Sequence, residues 1–206
     1  MGMSVSLLGS EAHDPQLRED LRTFSSALQP ETFELATVTP PSPYEQFTEA
    51  MGSYSNIFRL QLLACQLSSG TVPQEPVTNR EQVHTLISTL RAKCKYRHLL
   101  EPWNAKRTYY LPLAFSEPIL NVPAVTGWKR WFSKDSCSAG SSAQLLTELN
   151  EINSFLRMKG DAGDTSVDQV LDETDNDPWG SEKYVWAILR WFARESIRQR
   201  GVVAFA

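Results

Sequence analysis

Apolar residues along the chain fall into a helical period at five places. In DPQLREDLRTFSSALQP, Leu17, Leu21, Phe24 and Leu28 share one face. Asp14 precedes them as N-cap, Pro15 takes the first helical position and Pro30 ends the run, which predicts a helix over 15–28. Ser42 and Glu45 make a capping box around Pro43 and predict a helix from 43 to about 52, with Tyr44, Phe47 and Met51 inward. In NREQVHTLISTLRAKCKYRH, Asn79 caps a stripe of Val83, Leu86, Ile87, Leu90 and Cys94, and predicts a helix over 79–98. Arg91, Lys93, Lys95 and Arg97 crowd its C-terminal end, where cations suit the helix dipole. Ser141 and Gln144 open the fourth helix, which turns Leu145, Leu146, Leu149, Ile152, Phe155 and Leu156 inward and stops at Gly160. The fifth runs from about 181 to 200, with Tyr184, Val185, Ile188, Leu189 and Phe192 as core and Trp186 and Trp191 flanking. It is apolar around so much of its circumference that a central or interface-lining position is predicted. Gly201 ends it, and VVAFA trails as an apolar tail.

Between these segments the pattern is weaker. Four prolines between 30 and 43 point to an extended connector. IFRLQLLACQL reads two ways: Ile57, Leu60, Ala64 and Leu67 have helical spacing, while Phe58, Leu60 and Leu62 alternate with Arg59 and Gln61 as in a strand. SSGTVPQEPVT has linker composition. Residues 103–140 read as irregular. Short strands fit TYYLPLAFSEPILNVP, but Pro112, Pro118 and Pro123 exclude a long central one, and DSCSAG reads as a loop. Residues 161–180 are acidic, with a short helix predicted at 166–173. The architecture expected from the pattern is mainly α. An N-terminal arm over 1–76, with one or two helices and a candidate short strand, precedes a helical domain over 77–206.

Composition narrows the function classes. The chain has 206 residues and a formal charge of −4, so it carries no global basic field for nucleic acid. No apolar run reaches membrane-spanning length, and MGMSVSLLGSEAHD lacks the basic and apolar regions of a secretory signal. Cys65, Cys94 and Cys137 are odd in number and far apart, which fits reduced thiols. His13, His84 and His98 have no Cys or Ser partner in a recognised motif, and no phosphate-binding glycine loop is present, so no catalytic residue and no cofactor is predicted. Asp161, Asp164, Asp168, Asp172, Asp175 and Asp177 do not meet the glycine and glutamate offsets of a calcium loop, so no metal is predicted.

TGWKRWFSKD offers two readings. Trp128 and Trp131 with Lys129, Arg130 and Lys134 suit a base-stacking platform, to which Arg190, Arg194 and Arg198 would add a cationic stripe. Tryptophans three apart also suit one helical face as core anchors, and the acidic balance of the chain favours that reading.

The order of several short motifs resembles the SMN-interacting proteins of the Gemin group, with their Brr-type relatives in yeasts. They are PPSPYEQFTEA (40–50), NIFRLQL (56–62), EQVHTLISTLR (81–91), GWKRWF (127–132), LLTELNEINSFL (145–156) and YVWAILRWF (184–192). The resemblance implies a non-catalytic assembly scaffold for spliceosomal ribonucleoproteins, and so a role in mRNA splicing. Its partners would be Sm proteins and an SMN-type helix, its location cytoplasmic and nuclear. Partner contacts would then come from Pro40, Pro41, Tyr44, Phe47, Phe58, Leu60, Leu62, Trp128, Trp186 and Trp191. The rival expectation is a nucleic-acid-binding, viral or structural assembly subunit that uses the Trp/Lys/Arg patch.

Overall fold

A computed structural model describes residues 2–8, 15–27, 48–123, 136–158 and 176–205. In chain order they form β1 (Gly2–Leu8), α1 (Pro15–Ala27), β2 (Thr48–Ser53), α2 (Tyr54–Ser68), α3 (Arg80–Leu90), α4 (Arg97–Leu100), β3 (Arg107–Leu111), β4 (Ile119–Pro123), β5 (Ser136–Ser141), α5 (Ser142–Leu156), α6 (Gly180–Gln199) and β6 (Val202–Phe205). The strands make one six-stranded sheet in the order β2-β1-β6-β3-β5-β4. Only β3 and β5 run parallel; the other neighbours are antiparallel.

The mainly α expectation is therefore corrected to α+β, and the VVAFA tail is where it failed most. Val202–Phe205 is β6, hydrogen-bonded to β1 on one side and β3 on the other. A short, continuous apolar run is what a strand buried on both faces looks like, and it carries no alternation to betray it. Val203 and Phe205 pack with the helices α2, α3, α5 and α6, while Val202 faces α1 across the sheet. Tyr110 and Tyr109 divide between the same two sides. Among the described residues the result is three layers, with α2 to α6 on one face and α1 on the other.

Nor are the described residues before 76 an arm. β1 and β2 pair into the same sheet as β6, and α2 lies in the larger core. Thr48–Ser53 is a strand where the end of a helix over 43–52 was expected; residues 43–47 lie outside the described ones. The ambiguous run resolves as helix, not as the strand 57–62. Leu60, Gln61, Leu62, Leu63, Ala64 and Cys65 are all buried in succession, so α2 is enclosed all round and its polar-looking alternation had no face to report. Even Gln61 is inside, its amide donating to the Leu99 carbonyl at 2.9 Å.

The locally encoded elements sit where their signals put them. Asn79 accepts from the Gln82 N–H at 3.0 Å and Ser141 from the Gln144 N–H at 3.2 Å, the capping bonds expected of these residue types. The expected 79–98 helix, however, breaks at Leu90 into a tight turn over Arg91–Lys93 and then the separate α4. The fourth helix ends at Arg157, with left-handed φ of 54°, and Asn153 Oδ1 accepts from the Met158 N–H. DSCSAG also departs from expectation, because Ser136–Ser141 is β5. Its small residues make room for a ring: a Cβ on Gly140 would lie 2.5 Å from the Tyr110 ring. The predicted helix at 166–173 lies outside the described residues.

Candidate functional site

The proposed partner-contact residues do not gather into one surface. Leu60, Leu62 and Trp186 are buried in the larger core. The Trp186 indole N–H donates to the Leu149 carbonyl at 2.7 Å, which ties α6 to α5. Phe58 and Trp191 are half-buried at the margin of that core, Phe58 against the His84 ring at 4.5 Å and Trp191 edge-on to Phe192 at 4.8 Å. Pro40, Pro41, Tyr44, Phe47 and Trp128, together with the rest of TGWKRWFSKD, lie outside the described residues.

Three buried polar nodes were not foreseen, because each joins residues distant in sequence. The first surrounds α4. Glu148, on α5, accepts from the backbone N–H groups of His98 (3.0 Å) and Leu99 (2.7 Å). Burial pushes its carboxyl up to about 7, although those two N–H bonds pull the other way. His98 Nδ1 accepts from the Ser141 N–H at 2.9 Å, so Nε2 carries the proton and donates to the Ser116 carbonyl at 3.1 Å. Tyr110 donates to the His98 carbonyl at 2.7 Å and accepts from the Trp103 indole at 3.0 Å. Ser141 Oγ donates to the Leu113 carbonyl, not to the imidazole. Each group of this node is thus engaged with backbone or with a neighbour of the node. The geometry orients α4 and β5; it does not place a nucleophile beside a base.

The second node joins α1 to the sheet. Asp20 takes a bidentate ion pair from Arg107, at 2.8 and 3.1 Å, and a hydrogen bond from the Tyr109 hydroxyl at 2.9 Å. Burial, reinforced by Asp20, raises the Tyr109 phenol above its ordinary range. The third joins α2 to the start of α6. Arg59 grips both oxygens of Glu182, at 3.0 and 3.2 Å, and donates to Ser181 Oγ at 3.1 Å. At the other end of α6, Ser196 Oγ donates to the Gly201 carbonyl and accepts from Ser142, which fixes the turn into β6.

The cationic stripe of α6 is partly occupied. Arg190 donates to Asn150 Oδ1 at 3.1 Å and lies 5.4 Å from the Trp186 ring centroid, while Arg198 pairs with Glu195. Elsewhere the described carboxylates Glu151, Glu101, Glu117 and Asp177 are also held by Lys95, Arg97 and Lys183. Charge is in fact unevenly divided along the chain. The described residues hold sixteen Lys and Arg against twelve Asp and Glu; the remaining residues hold four against twelve. The described residues are net positive, and the acidity of the chain lies in the remaining residues.

The family model described as "Putative DNA-mimic protein" matches residues 1–205. The chain belongs to this family. No curated protein and no solved structure matches the chain. Among the described residues, no group of His, Cys, Asp and Glu side chains is arranged to hold a metal ion. No helix among them is long and apolar enough to cross a membrane.

Proposed function

We propose that the chain is a non-catalytic binding protein whose carboxylates occupy the nucleic-acid-binding face of a basic, DNA-binding protein. The observation that carries this reading is membership of a family named for DNA mimicry, over nearly the full length of the chain. The division of charge supports it. Duplex DNA presents one phosphate charge for about every 1.7 Å of its axis. A protein that competes for the same partner needs carboxylates concentrated without their own counter-cations. In 161–175, six carboxylates stand with no Lys or Arg among them, and Asp161, Asp164, Asp168, Asp172 and Asp175 recur at every third or fourth residue. The described layers contrast with this, since their carboxylates are largely paired.

The resemblance to the Gemin group points to other partners. The matched family bears on neither Sm proteins nor an SMN-type helix, and NIFRLQL, one of the motifs of that resemblance, is part of a helix. DNA-binding proteins are the partner class adopted.

The test is competition. A heparin-retained protein fraction from the source cells is bound to labelled duplex, and the purified chain is titrated in. Release of the duplex is expected, weakening steeply with added salt because the contacts are charge-neutralising. A variant carrying Asn at 161, 164, 168, 172 and 175 should melt like the parent chain and release little. No release at any concentration, or direct binding of the duplex by the chain itself, overturns the reading. Direct binding would promote the nucleic-acid-binding alternative.

A further inference from the structure

Cys65 and Cys94 are far apart in sequence but adjacent in the fold. Cys65 is on α2, and Cys94 directly follows the turn Arg91–Lys93. One turn beyond Cys65, Ser68 Oγ donates to the Lys93 carbonyl at 3.2 Å and accepts from the Lys95 N–H at 2.8 Å. The last turn of α2 is thereby stitched to both neighbours of Cys94, which sets the Cys65 and Cys94 side chains against each other. Access is unequal. Cys94 is 7% exposed between the exposed Lys93 and Lys95, whereas Cys65 is 1% exposed behind it.

We propose that Cys65 and Cys94 form a dithiol modification site, which closes to an intramolecular disulfide on meeting a low-molecular-weight disulfide such as oxidised glutathione. Cys94 is the attacking sulfur. The hydrogen bond from Cys65 holds its thiol below the ordinary range against the effect of burial, helped by the Tyr96 N–H, Ser68 and the charge of Arg91. The same contact, with burial, pushes the Cys65 thiol well up, so that it acts second. The Cys94 thiolate attacks one sulfur of the reagent; its S–S bond breaks and one glutathione thiolate leaves, giving a mixed disulfide at Cys94. Cys65 passes its proton to that thiolate and attacks the Cys94 sulfur; the bond from Cys94 to glutathione breaks, and the second glutathione thiolate leaves and takes up from water the proton that Cys94 released on ionising. Two protein thiols are oxidised by two electrons, and one glutathione disulfide is reduced to two glutathione thiols. The bond formed ties α2 to the turn after α3. The third cysteine is an internal control, since burial pushes Cys137 up to about 12 in the smaller core, beside Asp20.

The experiment treats the folded full-length chain with oxidised glutathione and follows intact mass and peptide maps. Loss of two hydrogens, with a Cys65–Cys94 linked peptide and an unmodified Cys137, is expected. Cys65→Ser should stop at one glutathionyl group on Cys94, and Cys94→Ser should not react. An unchanged wild-type mass, a wild-type mixed disulfide that does not resolve, or equal reaction at Cys137 overturns the proposal. The wild-type measurement decides it even if a variant fails to fold.

Discussion

The two faces of the sheet are covered in different ways. On one, α2, α3, α5 and α6 bury a broad apolar core around Leu60, Leu149, Trp186, Ile188 and Phe192, and Tyr110, Val203 and Phe205 reach into it from the sheet. On the other, α1 is the helix among the described residues, and it offers Leu17, Leu21 and Phe24 to Tyr109, Leu111, Cys137, Ala139 and Val202. The Phe24 ring meets Tyr109 edge-on at 5.9 Å. The smaller core adds a polar clamp, Asp20 on Arg107 and Tyr109. Apolar area is non-directional, so the large core sets stability; the clamp is directional, so it sets where α1 lies.

Trp186→Ala should give the largest change. Truncating a buried aromatic of this size costs about 3–5 kcal/mol out of a typical total of about 5–15. It also removes the indole N–H that ties α6 to the Leu149 carbonyl of α5. Thermal unfolding followed by circular dichroism should show a large drop in Tm, with both cores lost together. Survival of either core alone would break the view that the large one sets stability.

Glu148 is buried beside the large core and held by backbone N–H groups without a cation, and it predicts a pH dependence. Its folded value, about 7, lies above the 4.5 of an unperturbed glutamate, so the folded state prefers the protonated form. Its favourable contribution is complete below about 4.5 and is lost as pH rises through about 7, a change on the order of 3 kcal/mol. Denaturant midpoints across that window should fall with pH in the parent chain and flatten in Glu148→Gln. Equal slopes in the two would show that the carboxyl does not titrate in this way.

Asp20→Ala tests the small core. Arg107 is 23% exposed and can turn to water, but the Tyr109 hydroxyl is left buried without its acceptor, at a cost of about 2–3 kcal/mol. Hydrogen exchange should speed up across Pro15–Ala27 while α5 and α6 keep their protection. Uniform loss of protection would mean that the two faces are one cooperative unit.

Gly140→Ala should cost about 1–3 kcal/mol by overpacking against Tyr110, with its effect on the large-core side of β5. Lys95→Ala, in an exposed pair with Glu151, should stay within about 0.5 kcal/mol on either readout.

What sequence alone determined were the elements encoded by neighbours along the chain. Asp14-Pro15 before a leucine stripe, Asn79 three residues before Gln82, and Ser141 three before Gln144 each supply a helix start and the face to be buried, and α1, α3 and α5 begin accordingly. Tertiary structure decided the sheet and the clustering of polar groups. SCSAGS lacks the β-branched residues of a strand, and it is one because β3 and β4 supply its hydrogen bonds and Tyr110 needs the space above Gly140. VVAF is a strand because β1 and β3 flank it, and IFRLQL is a helix because packing surrounds it and leaves its alternation no solvent side. Asp20 with Arg107, Glu148 with His98, and Cys65 with Cys94 meet only once the chain has closed on itself. Capping and periodicity act over a few residues and can be read in order. Strand pairing, polar clamps and thiol contacts join residues tens of positions apart, and their partners exist only in the folded chain.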